Sequence, residues 1–130
     1  MAAKHVFLSF VEEDLDLARL FRGQAKNKNS DLSFDDYSVT VPYNSSDAAY
    51  IRSKIKEKIR ACSVLVCLVG KDTHKSPWVD WEIHTATDLD KKIVGVRLRR
   101  DHTDMLPTAL VELKSSICGW DIDSIVKLIG

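Results

Sequence analysis

A chain of 130 residues with 45% hydrophobic and 29% charged side chains suits one compact domain, residues 1–130, that needs no metal or disulfide staple. Lys plus Arg and Asp plus Glu balance at 19 each, which argues against a dedicated nucleic-acid binder with its basic excess. The three cysteines, Cys62, Cys67 and Cys118, are odd in number and lack metal-ligand spacing, so free thiols in a reducing cytoplasm are expected. No apolar run approaches a transmembrane length, and the start "MAAKHVFLSF" is too briefly apolar for a signal peptide.

In chain order, "KHVFLSF" (4–10) is a short apolar run of β-formers and reads as a buried strand. In "VEEDLDLARLFRGQA" (11–25), Leu15, Leu17, Ala18, Leu20 and Phe21 recur at near-helical spacing, so a helix follows. "KNKNSD" (26–31) has loop composition, and "LSFDDYSVT" (32–40) reads as a strand and its exit. "VPYNSSD" (41–47) ends in residues that cap the next helix, "AAYIRSKIKEKIRAC" (48–62), where Ile51, Ile55 and Ile59 repeat every fourth position. "SVLVCLVG" (63–70) is continuously apolar and β-branched, as in a strand buried on both faces. "SPWVDWEIHTATDLD" (76–90) begins a helix: Ser76 caps it, Pro77 takes the first helical position and Asp80 lies at the positive end of the dipole. "KKIVGVRL" (91–98) is a further strand, "HTDMLPTALVELKSS" (102–116) a loop with a short helix, "SICGW" (116–120) an edge strand and "DIDSIVKLIG" (121–130) a final helix. Strands alternating with helices imply a parallel sheet covered on both faces. The expected fold is therefore a flavodoxin-like, doubly wound three-layer α/β/α domain around a central, mainly parallel five-stranded sheet. In such folds ligands bind beyond the carboxyl ends of the strands, here the loops "SFVEED", "DDYSVTVPYNSSD" and "GKDTHKSPW".

Winding 76–90 as a helix places Trp78, Trp81, Thr85, Ala86 and Leu89 on one stripe, and Glu82 falls on it too. A carboxylate on an apolar stripe is costly unless it is paired, wet or functional. The plain reading puts Glu82 at the stripe's edge, reaching water or pairing with a lysine such as Lys71. The functional one makes it a carboxylate in a cleft with an aromatic wall, where Trp78 and Trp81 stack on a flat ring and Glu82 holds a sugar hydroxyl or a developing cation. Ser9, Phe10 and Asp14 follow the first strand, where strand closure, packing and capping of the first helical turn would also account for them. "RLRRD" (97–101) is a local basic run whose simplest reading is a solvated strand end. No GxGxxG, P-loop or GxSxG is present, and His5, His74, His84 and His102 show no metal spacing. The acid pair and phosphorylatable aspartate of a response-regulator receiver are missing from the strand ends.

Together these segments resemble a TIR domain, in particular the short bacterial TIR-like group that includes the Thoeris antiphage protein ThsB. "VFLSFVEED" resembles the first box, "FDDY" the second-strand aspartate region, "IRACSVLVCLVGKDTHKSPWVDWEI" the third strand, its loop and the Trp-x-x-x-Glu helix, and "KKIVGVRL" the following strand. The loop after the second strand lacks the glycine and basic residues often found in TIR domains. The resemblance implies an NAD+ nucleosidase or ADP-ribosyl cyclase with Glu82 catalytic, Trp78 its partner one turn earlier, and Ser9, Phe10, Trp81 and, more loosely, Asp36 facing the nucleotide. NAD+ would be a substrate, with no further cofactor and no metal. Nicotinamide leaves as a neutral molecule, so one carboxylate that orients the ribose hydroxyls and stabilises the oxocarbenium ion suffices, unlike the pair in ordinary glycosidases. Water would then yield ADP-ribose, and attack from within the molecule a cyclic isomer. The resemblance also implies a homo-oligomer formed through TIR–TIR contacts and a downstream effector that senses the product in antiphage immunity, with no nucleic-acid or membrane partner. The alternatives are a non-catalytic TIR adaptor acting by self-association and a nucleoside 2-deoxyribosyltransferase-like enzyme.

Overall fold

The structure, a computed structural model, describes residues 4–35, 45–99 and 104–129. Five strands, β1 (Lys4–Ser9), β2 (Leu32–Asp35), β3 (Val64–Val69), β4 (Lys92–Arg97) and β5 (Ser116–Cys118), form one sheet in the order β2-β1-β3-β4-β5. Every pairing is parallel, with Ser9 opposite Cys67 and Val69 opposite Arg97. The connections carry α1 (Leu15–Lys28), α2 (Ala48–Ala61), α3 (Pro77–Asp88), α4 (Thr108–Glu112) and α5 (Ile122–Ile129), with 3-10 turns at Glu12–Asp14 and Thr73–Lys75. This is the expected doubly wound α/β/α architecture, and each strand, including the weakly signalled edge strand, falls where the sequence placed it.

The two-residue period of the strands builds two cores. Val6 and Leu8, with Val64, Val66 and Leu68, face α1 and α5, where Ala18, Phe21, Ala25, Ile125 and Ile129 cover them. Phe7, with Leu65, Cys67 and Val69, faces the opposite layer, where Ile55 and Ile59 of α2, Val79, Ile83 and Ala86 of α3, and Ala109 and Leu110 of α4 pack. Fully burying a side chain such as Phe21 contributes about 1.5–3 kcal/mol relative to leaving it in water.

Two expectations need correction. The helix read over 11–25 starts later and runs to Lys28, so most of the "KNKN" loop is its last turn, where Lys26 and Lys28 suit the negative end of the dipole. Its buried face is Ala18, Phe21 and Ala25, a regular i, i+3, i+7 stripe, which leaves Leu17 and Leu20 38% and 52% exposed. In the helix at 48–62, Ile55 and Ile59 are buried as expected, with Ile51 half-buried at the end of the row.

Candidate active site

Ser9 closes β1 at the centre of the sheet. Strand alternation turns its side chain to the same face as Phe7, toward α3. That helix is set by its first residues. The Ser76 Oγ accepts the Val79 N–H at 3.1 Å, and Pro77 supplies the pre-formed first φ. Asp80 accepts the Ala109 N–H at 3.1 Å and so ties α3 to the start of α4. From this fixed helix Glu82 meets β1: the Ser9 hydroxyl donates to Glu82 Oε1 at 2.7 Å. Ser9 is 1% exposed and Glu82 4%. The expectation that Glu82 reaches water or pairs with Lys71 is thus replaced by a short buried bond to a strand 73 residues away in sequence.

The stripe around Glu82 is rotated from the one read in the sequence. Val79, Ile83 and Ala86 form its fully buried centre, and Trp78, Trp81 and Leu89 are half-buried along its border. The two indoles meet edge to face, with centroids 6.2 Å apart and planes at 88°. Ser9, Glu82, Trp78 and Trp81 therefore share the α3 side of the sheet. Phe10 leaves the same strand end but packs against the α1/α5 core, on the other side. Asp36 lies outside the described residues. His84 is exposed, near Asp80 and Glu112 at 3.6 and 4.0 Å, and takes no part in the Glu82 constellation.

Three neighbours also carry weight: Gly70 and Thr73, which the sequence did not signal, and Asp14, whose expected capping role the structure does not show. Asp14 makes no capping bond; its carboxylate instead lies against Gly70, where a Cβ would sit 2.3 Å from Asp14 Oδ2. A side chain at Gly70 would thus force Asp14 to shift. Asp14 Oδ2 is buried without a hydrogen-bond partner among the described residues, and burial, followed by the charges of Glu13, Asp104 and Asp72, pushes its carboxyl above the ordinary aspartate range. Thr73, fully buried, accepts the Gly70 N–H at 2.8 Å and donates to the Leu68 carbonyl at 3.4 Å, so its hydroxyl clamps the end of β3.

Burial disfavours the thiolate form of the cysteines. Burial, then the charge of Glu82, pushes Cys67 far up, and burial pushes Cys62 up to about 11. No group of three His, Cys, Asp or Glu side chains among the described residues is arranged to hold a metal ion. No described helix is long and apolar enough to cross a membrane. At the carboxyl end of β1 the Glu82 carboxylate is thus held by the Ser9 hydroxyl on the side of the sheet that carries the edge-to-face Trp78–Trp81 pair. Such a group can orient a hydroxyl or stabilise a neighbouring cation.

Comparison with known proteins agrees with the architecture. The CMP N-glycosidase BcmB of Clostridium botulinum superposes with a TM-score of 0.56 at 15% identity, over 95% of this chain and 96% of that one. The TIR domains of the activated Roq1 resistosome give 0.51 at 16% identity, covering 96% of this chain and 69% of that one. A diflavin flavoprotein A3 from Nostoc sp. gives 0.52 at 12% identity, covering 99% and 88%. At these identities the likeness is one of fold. No curated protein sequence is detectably similar to the chain. The family model for the TIR-like domain of Thoeris protein ThsB, however, matches residues 7–103, from inside β1 to beyond β4, and the chain belongs to that TIR-like family.

Proposed function

We propose that this domain cleaves the bond between nicotinamide and ribose in NAD+, releasing nicotinamide and ADP-ribose or a cyclic isomer as a signal in antiphage defence. The observation that carries the reading is the buried Ser9–Glu82 bond at 2.7 Å, which holds a single carboxylate at the carboxyl end of a central strand. One Glu82 oxygen is fixed by Ser9. The carboxylate then orients the ribose hydroxyls and stabilises the positive charge that builds on the sugar as the neutral base departs. Trp78 and Trp81 offer an aromatic border beside it. Occurrence of an N-glycosidase on the same fold supports the chemistry, and the TIR-like family supports NAD+ as its substrate. Assembly of the domain through TIR–TIR contacts would complete the pocket, and an effector would read the product.

The test is incubation of the purified protein with NAD+, beside Glu82→Ala, with nicotinamide and the second product read by chromatography and mass spectrometry. Release by the wild type that is lost in the variant is the expected result. Equal turnover by both proteins refutes the role of Glu82. Activity per molecule should rise with protein concentration if copies complete the pocket; full activity from a monomer at high dilution refutes that part.

One observation favours a second reading. Glu82 and Ser9 are both almost fully buried, as a purely structural pair would be. A non-catalytic adaptor that works by self-association would show oligomers on sedimentation and no NAD+ loss at any protein concentration.

A further inference from the structure

The end of β4 opens on a cleft of about 490 Å³ at the carboxyl ends of β4 and β5, lined among others by Leu20 and Gln24 of α1, by Arg97, Leu98 and Arg99, and by Trp120. Neither Ser9 nor Glu82 lines it. The volume falls within the roughly 300–1,000 Å³ typical of small-molecule sites, and parallel sheets bind ligands at this end.

The lining has a definite chemistry. Trp120 is a fixed platform: its Nε1–H donates to Gln24 Oε1 at 2.8 Å, and its ring meets Phe21 edge to face at 5.9 Å and 74°. With the N–H engaged, the indole presents apolar surface and a π-face. Leu20 is half-exposed beside it, a large apolar side chain that the core does not account for. Two guanidinium groups stand at the rim, and Asp104 orients both. Its carbonyl accepts from Arg97 Nη1 at 2.8 Å, and its carboxylate takes Arg99 in a two-point bond at 2.9 and 2.7 Å. Asp121, the acid in the lining itself, is engaged by the Ser124 N–H and hydroxyl at the start of α5. A planar ring against Trp120 and Leu20, joined to an anion that meets the arginines, fits this combination: aromatic faces take bases, and guanidinium groups take phosphates.

We propose that this cleft is a second, non-catalytic site that binds a free nucleotide, with the base against Trp120 and the phosphate against Arg97 and Arg99. The proposal stands independently of the Glu82 chemistry. Its test uses the indole N–H resonances of the three tryptophans in 15N-labelled protein, with the Trp120 signal assigned from Trp120→Phe. Titration with ADP should move the Trp120 signal saturably. Leu20→Glu, at a half-exposed position where the fold tolerates a carboxylate, should raise the midpoint at least tenfold, with circular dichroism confirming an intact fold. Adenosine should bind at least tenfold more weakly than ADP. No shift, a shift confined to Trp78 and Trp81, a midpoint unchanged by Leu20→Glu, or equal binding of adenosine and ADP would each overturn the proposal. Because ADP has no nicotinamide bond, none of these results depends on whether the protein cleaves NAD+.

Discussion

Replacing Ser9 by alanine removes one hydroxyl from the interior and leaves Glu82 without the donor it meets at 2.7 Å. Both groups are nearly water-free, so solvent does not replace the lost bond. A hydrogen bond to a charged group contributes about 1.5–3 kcal/mol, and about 2 kcal/mol is expected here because the small side chain leaves little cavity. With an unfolding entropy of roughly 2.1 cal/mol/K per residue, a domain of this length loses about 7 °C in Tm for that change. The assay is calorimetric or dichroic melting of Ser9→Ala, Glu82→Ala and the double variant. If the contact is what Ser9 provides, the serine substitution loses most of its effect once Glu82 is gone, with a coupling of about 1–2 kcal/mol. Under the proposed chemistry, NAD+ cleavage by Ser9→Ala falls roughly tenfold or more, since the carboxylate is no longer held. A melting shift under about 2 °C, with coupling indistinguishable from zero, refutes the argument that Ser9 positions Glu82.

Gly70→Ala places a methyl 2.3 Å from Asp14 Oδ2, so a loss of about 1–3 kcal/mol is expected in urea denaturation, most of it recovered when Asp14→Ala is added. No recovery would locate the strain elsewhere. The carboxyl of Asp14 is raised in the folded state, chiefly by burial, so its contribution is fully present below the ordinary value of 3.8 and is lost as pH rises through the raised value. The stability of Asp14→Asn relative to wild type should therefore improve from acid to neutral pH; a difference that stays constant with pH refutes the linkage. Ser76→Ala removes the N-cap of α3 and should cost about 1 kcal/mol in urea denaturation, with a proportionate fall in Tm; an effect under about 0.3 kcal/mol would mean that Pro77 alone sets the helix start.

The fold was legible because its signals are local and repeated. "VLVCLV" (64–69) has no polar residue to break its pattern, and Ser76 with Pro77 fixes a helix start from two adjacent residues. The end of α1 is not legible in the sequence because asparagine and lysine have loop composition, whereas the last turn of a helix accepts lysine readily. The stripe on α3 was off by part of a turn for another reason. Two tryptophans dominate a hydrophobic pattern, yet their size lets them pack from the border, while the smaller Val79, Ile83 and Ala86 reach the strands. Glu82 was recognisable as a carboxylate among apolar residues, but its partner was not, because Ser9 lies 73 positions away. The same holds for Asp14 with Gly70: close approach of backbone and carboxylate leaves no periodicity in the chain.

Under the proposed chemistry, burial of Glu82 has an electrostatic use as well as a desolvation cost. A carboxylate 4% exposed and bonded to a buried hydroxyl lies where the surrounding dielectric is low, and there a fixed negative charge would act on a developing cation far more strongly than it does in water. Removing water from that carboxylate is costly, and the bond from Ser9 to Oε1 offsets part of the cost. A second acid would be of little use to a leaving group that departs neutral, and inside the same cavity it would raise the pKa of its neighbour. The neighbouring acid, Asp14, has its carboxylate against Gly70 and is not in the Ser9–Glu82 bond. Under the proposed chemistry, a carboxylate held by a strand hydroxyl and bordered by rings is the minimum that cleavage of a cationic N-glycosidic bond needs, and Glu82 with Ser9, Trp78 and Trp81 matches that requirement.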